Sequence, residues 1–153
     1  MKKRFKCSLF LLCVISLNAI AQTYQISKQE LGTTMARCAG NHAAFIVLGL
    51  SAGFVDLKKD QAAFDALKNE GKNWQRLAEF FIGSKNTDDL MASTMNQFSA
   101  LMKNRSADDQ VDALISKVPN NIIWCRNYQK SNDAIMACYI SPQTAAQRGI
   151  RCN

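Results

Sequence analysis

"LGTTMARCAGNHAAFIVLG", residues 31–49, decides the fold. Leu31, Met35, Cys38, His42, Phe45 and Gly49 recur at spacings of four, three, four, three and four. Positions three and four apart share one face of an α-helix, whereas a strand would alternate every second residue. The stretch predicts a helix whose buried stripe carries a cysteine and the chain's only histidine. From Ala43 to Val55 the residues are apolar or small on every side. That run is shorter than the roughly 20 residues a membrane span needs, so it reads as the central helix of a globular core.

Towards the C-terminus the helical period continues. Asp56 or Asp60 is placed to cap a second helix with the stripe Phe64, Leu67, Gly71, Trp74, Leu77 and Phe81, and Gly83 ends it. Gly71, in the middle of that pattern, is a point of weakness or kinking. Thr87, followed by Asp88 and Asp89, reads as the start of a third helix, with acids at the positive end of its dipole. This helix buries Met91, Met95, Phe98, Leu101 and Met102. Ser106 with Asp109 resembles a capping box ahead of Val111, Leu114, Ile115 and Val118.

Pro119 is expected to break that helix and open another through Ile122, Ile123, Cys125 and Tyr128. Lys130-Ser131-Asn132-Asp133 is either a turn or a polar patch on a continuing helix, and Ser141-Pro142 starts a last short element ending near Gly149. No repeat and no alternating strand pattern emerges. The fold class is all-α, a compact single-domain bundle of four to six helices.

Towards the N-terminus, Lys2, Lys3, Arg4 and Lys6 precede an apolar segment from Leu9 to Leu17, and Ala19-Ile20-Ala21 offers a small-x-small cleavage site. Residues 1–21 therefore read as a cleavable signal peptide, and 22–153 as a helical domain beginning at Gln22. The expected destination is the bacterial periplasm or the exterior, with no membrane span after cleavage. Cleavage removes four cations and lowers the formal charge from +7 to +3. So modest and scattered a surplus does not point to nucleic acid.

Cys7 and Cys13 leave with the signal, while Cys38, Cys125, Cys138 and Cys152 stay. Four cysteines in an exported chain read as two disulfides with three connectivities. A turn at Lys130–Asp133 would bring Cys125 opposite Cys138, so Cys125–Cys138 with Cys38–Cys152 is the favoured arrangement. Cys38–Cys125 with Cys138–Cys152 is its competitor.

Chemistry is sparse. Cys38 and His42 share a helix face, but an oxidised cysteine beside a buried imidazole explains the pair better than thiol catalysis does. Met35 shares the same face, and soft ligands suit copper(I), yet core methionines are ordinary filler. Asp88-Asp89 and Asp108-Asp109 sit where helix starts favour acids, and Glu30, Glu70 and Glu79 look isolated. No phosphate-cradling glycine loop, hydrolase motif or cofactor motif occurs, so the chain reads as non-catalytic and cofactor-free. Asn120 to Gln129 is the richest local cluster. Trp124, Arg126 and Tyr128 are residue types enriched in interface anchors and form the candidate interface. The outline is similar to small periplasmic inhibitors and immunity proteins that occupy a toxin or enzyme. A small-molecule or lipid-binding bundle and a periplasmic stress chaperone are the alternatives.

Overall fold

A computed structural model describes residues 26–51, 57–103 and 105–152. The expected signal peptide lies outside these residues, as do Asp56 and Gly53. Among the described residues five helices follow in order: α1 (Lys28–Ser51), α2 (Leu57–Ile82), α3 (Ser84–Met102), α4 (Ala107–Ile140) and the short α5 (Pro142–Gln147). No described residue is in a strand, and the all-α bundle is as the periodicity predicts.

Helix α1 is the hub. It packs against α2, α3 and α4, and its stripe supplies the fully buried Leu31, Met35, Cys38 and His42. Around Leu31, Met35 and Cys38 lie Trp74, Ala78 and Ile82 of α2, with Cys125 and Met136 of α4. A smaller cluster joins Ala44 of α1, Phe98 and Met102 of α3, and Ile122 of α4. Burial is therefore centred on residues 31–44 of α1, not on the apolar run that begins at Ala43. Val47 and Leu50 are exposed, while Gly49 between them is buried and Leu48 packs on the second cluster, so the end of α1 is covered on one face only.

Chain direction follows from the pairings. Gly32 of α1 meets Ile82 of α2, and His42 meets Gly71, so these helices are antiparallel. Gly40 meets Thr94 and Met91, and Ala44 lies beside Phe98, which makes α3 parallel to α1. Cys38 is bonded to Cys125, while the Tyr139 hydroxyl donates to the Ile26 carbonyl at 3.0 Å; α4 runs antiparallel to α1.

The helix ends follow local chemistry. Gly83 has φ +80° and separates α2 from α3 with no other residue between them, a conformation open to glycine at little cost. α3 starts at Ser84, three residues before the position expected for Thr87. Thr87 is buried inside the first turn and its hydroxyl donates to the Gly83 carbonyl. The Ser106 cap is present: its Oγ accepts from the Asp109 amide at 3.2 Å and donates to the Asp109 carboxylate at 2.7 Å. Ser141 caps α5, Pro142 occupies its first turn, and Gly149 closes it at φ +74°.

In the C-terminal half the expected break at Pro119 fails, and of the two alternatives for Lys130–Asp133 the polar patch on a continuing helix is the one that holds. Pro119 does not end a helix, and Lys130–Asp133 is not a turn; α4 runs unbroken for 34 residues. The proline removes one backbone donor, and beside it the Asn120 side chain donates to the Ser116 carbonyl at 2.8 Å. Asn132 is 7% exposed and donates to the Tyr128 carbonyl, so its polarity is satisfied within the helix. A continuous helix places Cys125 and Cys138 roughly 20 Å apart at about 1.5 Å per residue, far beyond the reach of a disulfide. The favoured pairing is therefore wrong. The bridges are Cys38–Cys125, with Cα atoms 5.8 Å apart, and Cys138–Cys152, at 5.5 Å.

Candidate functional site

The Cys38–Cys125 bridge clamps α4 to the hub helix, and the polar residues of the interior gather beside it. One turn beyond Cys38, the His42 ring is completely buried. Its Nδ1 lies 2.8 Å from the Cys38 carbonyl. A carbonyl only accepts, so Nδ1 carries the hydrogen. The other ring nitrogen, Nε2, faces Glu70 Oε2 at 3.5 Å. Glu70 in turn takes two hydrogen bonds from Arg126, Nε to Oε1 at 2.8 Å and Nη2 to Oε2 at 2.6 Å. A line of polar groups thus runs from α1 through α2 to α4, hydrogen-bonded between Glu70 and Arg126 but not between His42 Nε2 and Glu70.

Gly71 makes this approach possible. A Cβ there would stand 3.0 Å from the His42 Cβ, so the bare backbone lets α2 lie against the imidazole and delivers Glu70 to it. The Glu70 carboxyl is held below its ordinary value, mainly by the Arg126 hydrogen bonds, with partial burial opposing and the His42 charge assisting. The same pair holds the Arg126 guanidinium above its ordinary value. Such a two-pronged pair is geometrically demanding and fixes the rotamers at both ends. Glu70 is not the isolated acid its neighbours suggest. The overlooked signal is its place immediately before Gly71, a glycine on the buried stripe.

Cys38 and His42 are brought together, as their spacing predicts, but the sulfur is bonded to Cys125 and the imidazole is shut away from solvent. Among the described residues no cluster of three metal-ligating side chains forms.

The candidate interface residues occupy different roles on α4. Trp124 is 54% exposed and stacks on Tyr128, ring centres 5.4 Å apart. Tyr128 is half-buried against the core, and burial pushes its phenol up. Arg126 points to Glu70. Ile123, which the aromatic cluster overshadowed in the sequence, is 52% exposed beside Trp124. Asn120 and Asn127, three or four residues from this pair, and Lys117 and Lys130, six or seven away, are exposed on the same side of the helix. From residue 113 to 132 α4 carries three cations and no acid. The face opposite the disulfide is therefore an apolar centre set in a cationic and amide surround.

On the α3 side of this face, a half-open cleft of about 340 Å³ separates α3 from α4. Its floor includes Asn41 of α1, whose amide lies 3.9 Å from the Cys125 sulfur.

No family model, characterised protein or solved structure matches this chain. Its functional reading rests on its own residues.

Proposed function

We propose that the chain is an exported, non-catalytic binding protein that occupies a protein partner, as an inhibitor or immunity protein does. The observation that carries this reading is the outer face of α4, where Ile123 and Trp124 are each more than half exposed. Single exposed apolar residues are ordinary, but contiguous ones mark interaction sites, and Ile123 and Trp124 are neighbours on this face. Tryptophan is also the residue type most concentrated in binding hot spots. The face is pre-set: Tyr128 supports the indole from below, Arg126–Glu70 fixes the helix to α2, and Cys38–Cys125 fixes it to α1. A surface ordered in advance loses little entropy on binding.

Charge gives the partner's chemistry. Lys117 and Lys130 flank the apolar pair on a segment without carboxylates. The complement is an acidic surface with an apolar pocket, because opposite potentials steer encounter and reject partners of like charge. Export fits the same picture. Two disulfides suit an oxidising compartment, residues 1–21 have the form of a cleavable signal, and no described helix is long and apolar enough to cross a membrane.

The test is capture from periplasmic extract by the oxidised chain starting at Gln22, alongside the Trp124→Ala variant. One stoichiometric acidic partner is expected, with affinity reduced by at least about 2 kcal/mol, or roughly thirtyfold, in the variant. The variant should keep the wild-type denaturation midpoint, since Trp124 lies outside the core. No stoichiometric partner, or one held equally well without Trp124, overturns the proposal.

A further inference from the structure

We infer that the cleft between α3 and α4 is a binding site for a short peptide ending in a free carboxylate. At about 340 Å³ it falls within the range of small-ligand pockets, at the lower end. It is not an apolar groove. Gln97 lines it from α3, Lys117 and Asn121 from α4, and Asn41 from α1. Among the described residues, Gln97, Lys117 and Asn121 have no hydrogen-bond or ion-pair partner. Gln97 and Lys117 are exposed and Asn121 is half-buried, so their polar groups are accessible to a ligand in the cleft. The Asn41 amide nitrogen is directed at the Cys125 sulfur, which leaves its oxygen as an acceptor.

This donor set has a definite complement. Side-chain amides present a donor and an acceptor together, the same pair that each peptide unit offers in reverse. Four side-chain amides line the cleft, Asn120 donating to the Ser116 carbonyl, and the other three match one or two peptide units, not a phosphate or a metal ion. The Lys117 ammonium adds a single positive charge at the wall, and a terminal carboxylate answers it. Leu101, 38% exposed, supplies an apolar patch for one side chain. A glycan is the other neutral, hydrogen-bond-rich candidate. Glycans want an open aromatic face, and the only ring lining the cleft, Phe98, is 6% exposed.

The site adjoins the partner face proposed above and shares Lys117 and Asn120 with it, whereas Trp124 does not line the cleft. A Trp124→Ala chain should retain it. The probe is acetyl-Gly-Leu-Gly with a free carboxylate, titrated into the isotopically labelled oxidised chain and followed by the side-chain amide resonances of Asn41, Gln97 and Asn121. Saturable shifts are expected at all three. Binding should weaken by roughly tenfold for the C-terminal amide of the same peptide and for the Lys117→Met variant, as expected for loss of a charge-assisted hydrogen bond. Lys117 is exposed, so the backbone spectrum of that variant should stay that of the wild type. Absence of saturable shifts, equal affinity for acid and amide, binding indifferent to Lys117→Met, or shifts produced only by an N-acetylglucosamine trimer would each overturn the inference.

Discussion

A Cβ built on Gly32 would stand 2.5 Å from Cγ2 of Ile82 and 2.8 Å from the Cβ of Phe81. One on Gly40 would stand 2.8 Å from the Thr94 Cβ and 3.1 Å from the Met91 carbonyl oxygen. Alanine favours a helix over glycine by about 1 kcal/mol, and on propensity alone both substitutions would stabilise. Overpacking costs about 1–3 kcal/mol, and backbone or Cβ atoms cannot swing aside. Gly32→Ala and Gly40→Ala are therefore expected to lower the urea midpoint, and a rise in either would refute the close approach. Glu70 gives the pH prediction. Its folded carboxyl titrates below the 4.5 of the free group, so the unfolded chain binds the extra proton in that window. Stability from the Arg126 pair is complete above the ordinary value and is lost as pH falls through the depressed one. Glu70→Gln should flatten the fall in stability below pH 4.5, as read by urea titrations at several acidities. Neither partner of Glu70 was legible in the sequence. Arg126 is 56 residues away, and periodicity reports which face a residue occupies, not what lies across from it.

At the scale of elements, the sequence was clearest where local chemistry acts alone. The stripes of α1 and α2, the Ser106 cap, the Ser141-Pro142 start and the turns at Gly83 and Gly149 all read through. It misled where a local signal was outweighed. Pro119 looks like a break, and Lys130–Asp133 reads as a turn or a polar patch, yet α4 is continuous, with Ile122 and Cys125 packed just beyond the proline and Cys125 and Met136 packed on either side of the patch. The turn alternative at Lys130–Asp133 is what favoured the Cys125–Cys138 pairing. The two true bridges should contribute unequally. Cys38–Cys125 spans 87 residues and joins elements that only tertiary packing brings near, whereas Cys138–Cys152 spans 14. Chain-entropy arguments give about 4–5 kcal/mol for the first and about 3 for the second. Paired alanine replacements measured by chemical denaturation should rank in that order, and the reverse ranking would show that α4 docks without its clamp.

For the molecule as a whole, the hub arrangement explains what a compositional reading can and cannot reach. Fold class follows from the period of apolar residues, and one helix wrapped by three others is a direct way to bury a helix that has few charges. Partners do not follow from that period, since Trp124 sits on α4 at a spacing that core and surface residues share. Its exposure emerges only once Ile122 and Cys125 are seen to face inward. The bridges also have an order. Of the cysteines from residue 38 onward, each is joined to the next along the chain. A polypeptide threaded amino end first into an oxidising space presents Cys38 and then Cys125 before either remaining thiol arrives. Successive oxidation in order of arrival therefore yields the native pairs without reshuffling. With export as proposed, maturation should depend on a dithiol oxidase and be indifferent to loss of a disulfide isomerase, which thiol trapping in strains lacking each enzyme would reveal.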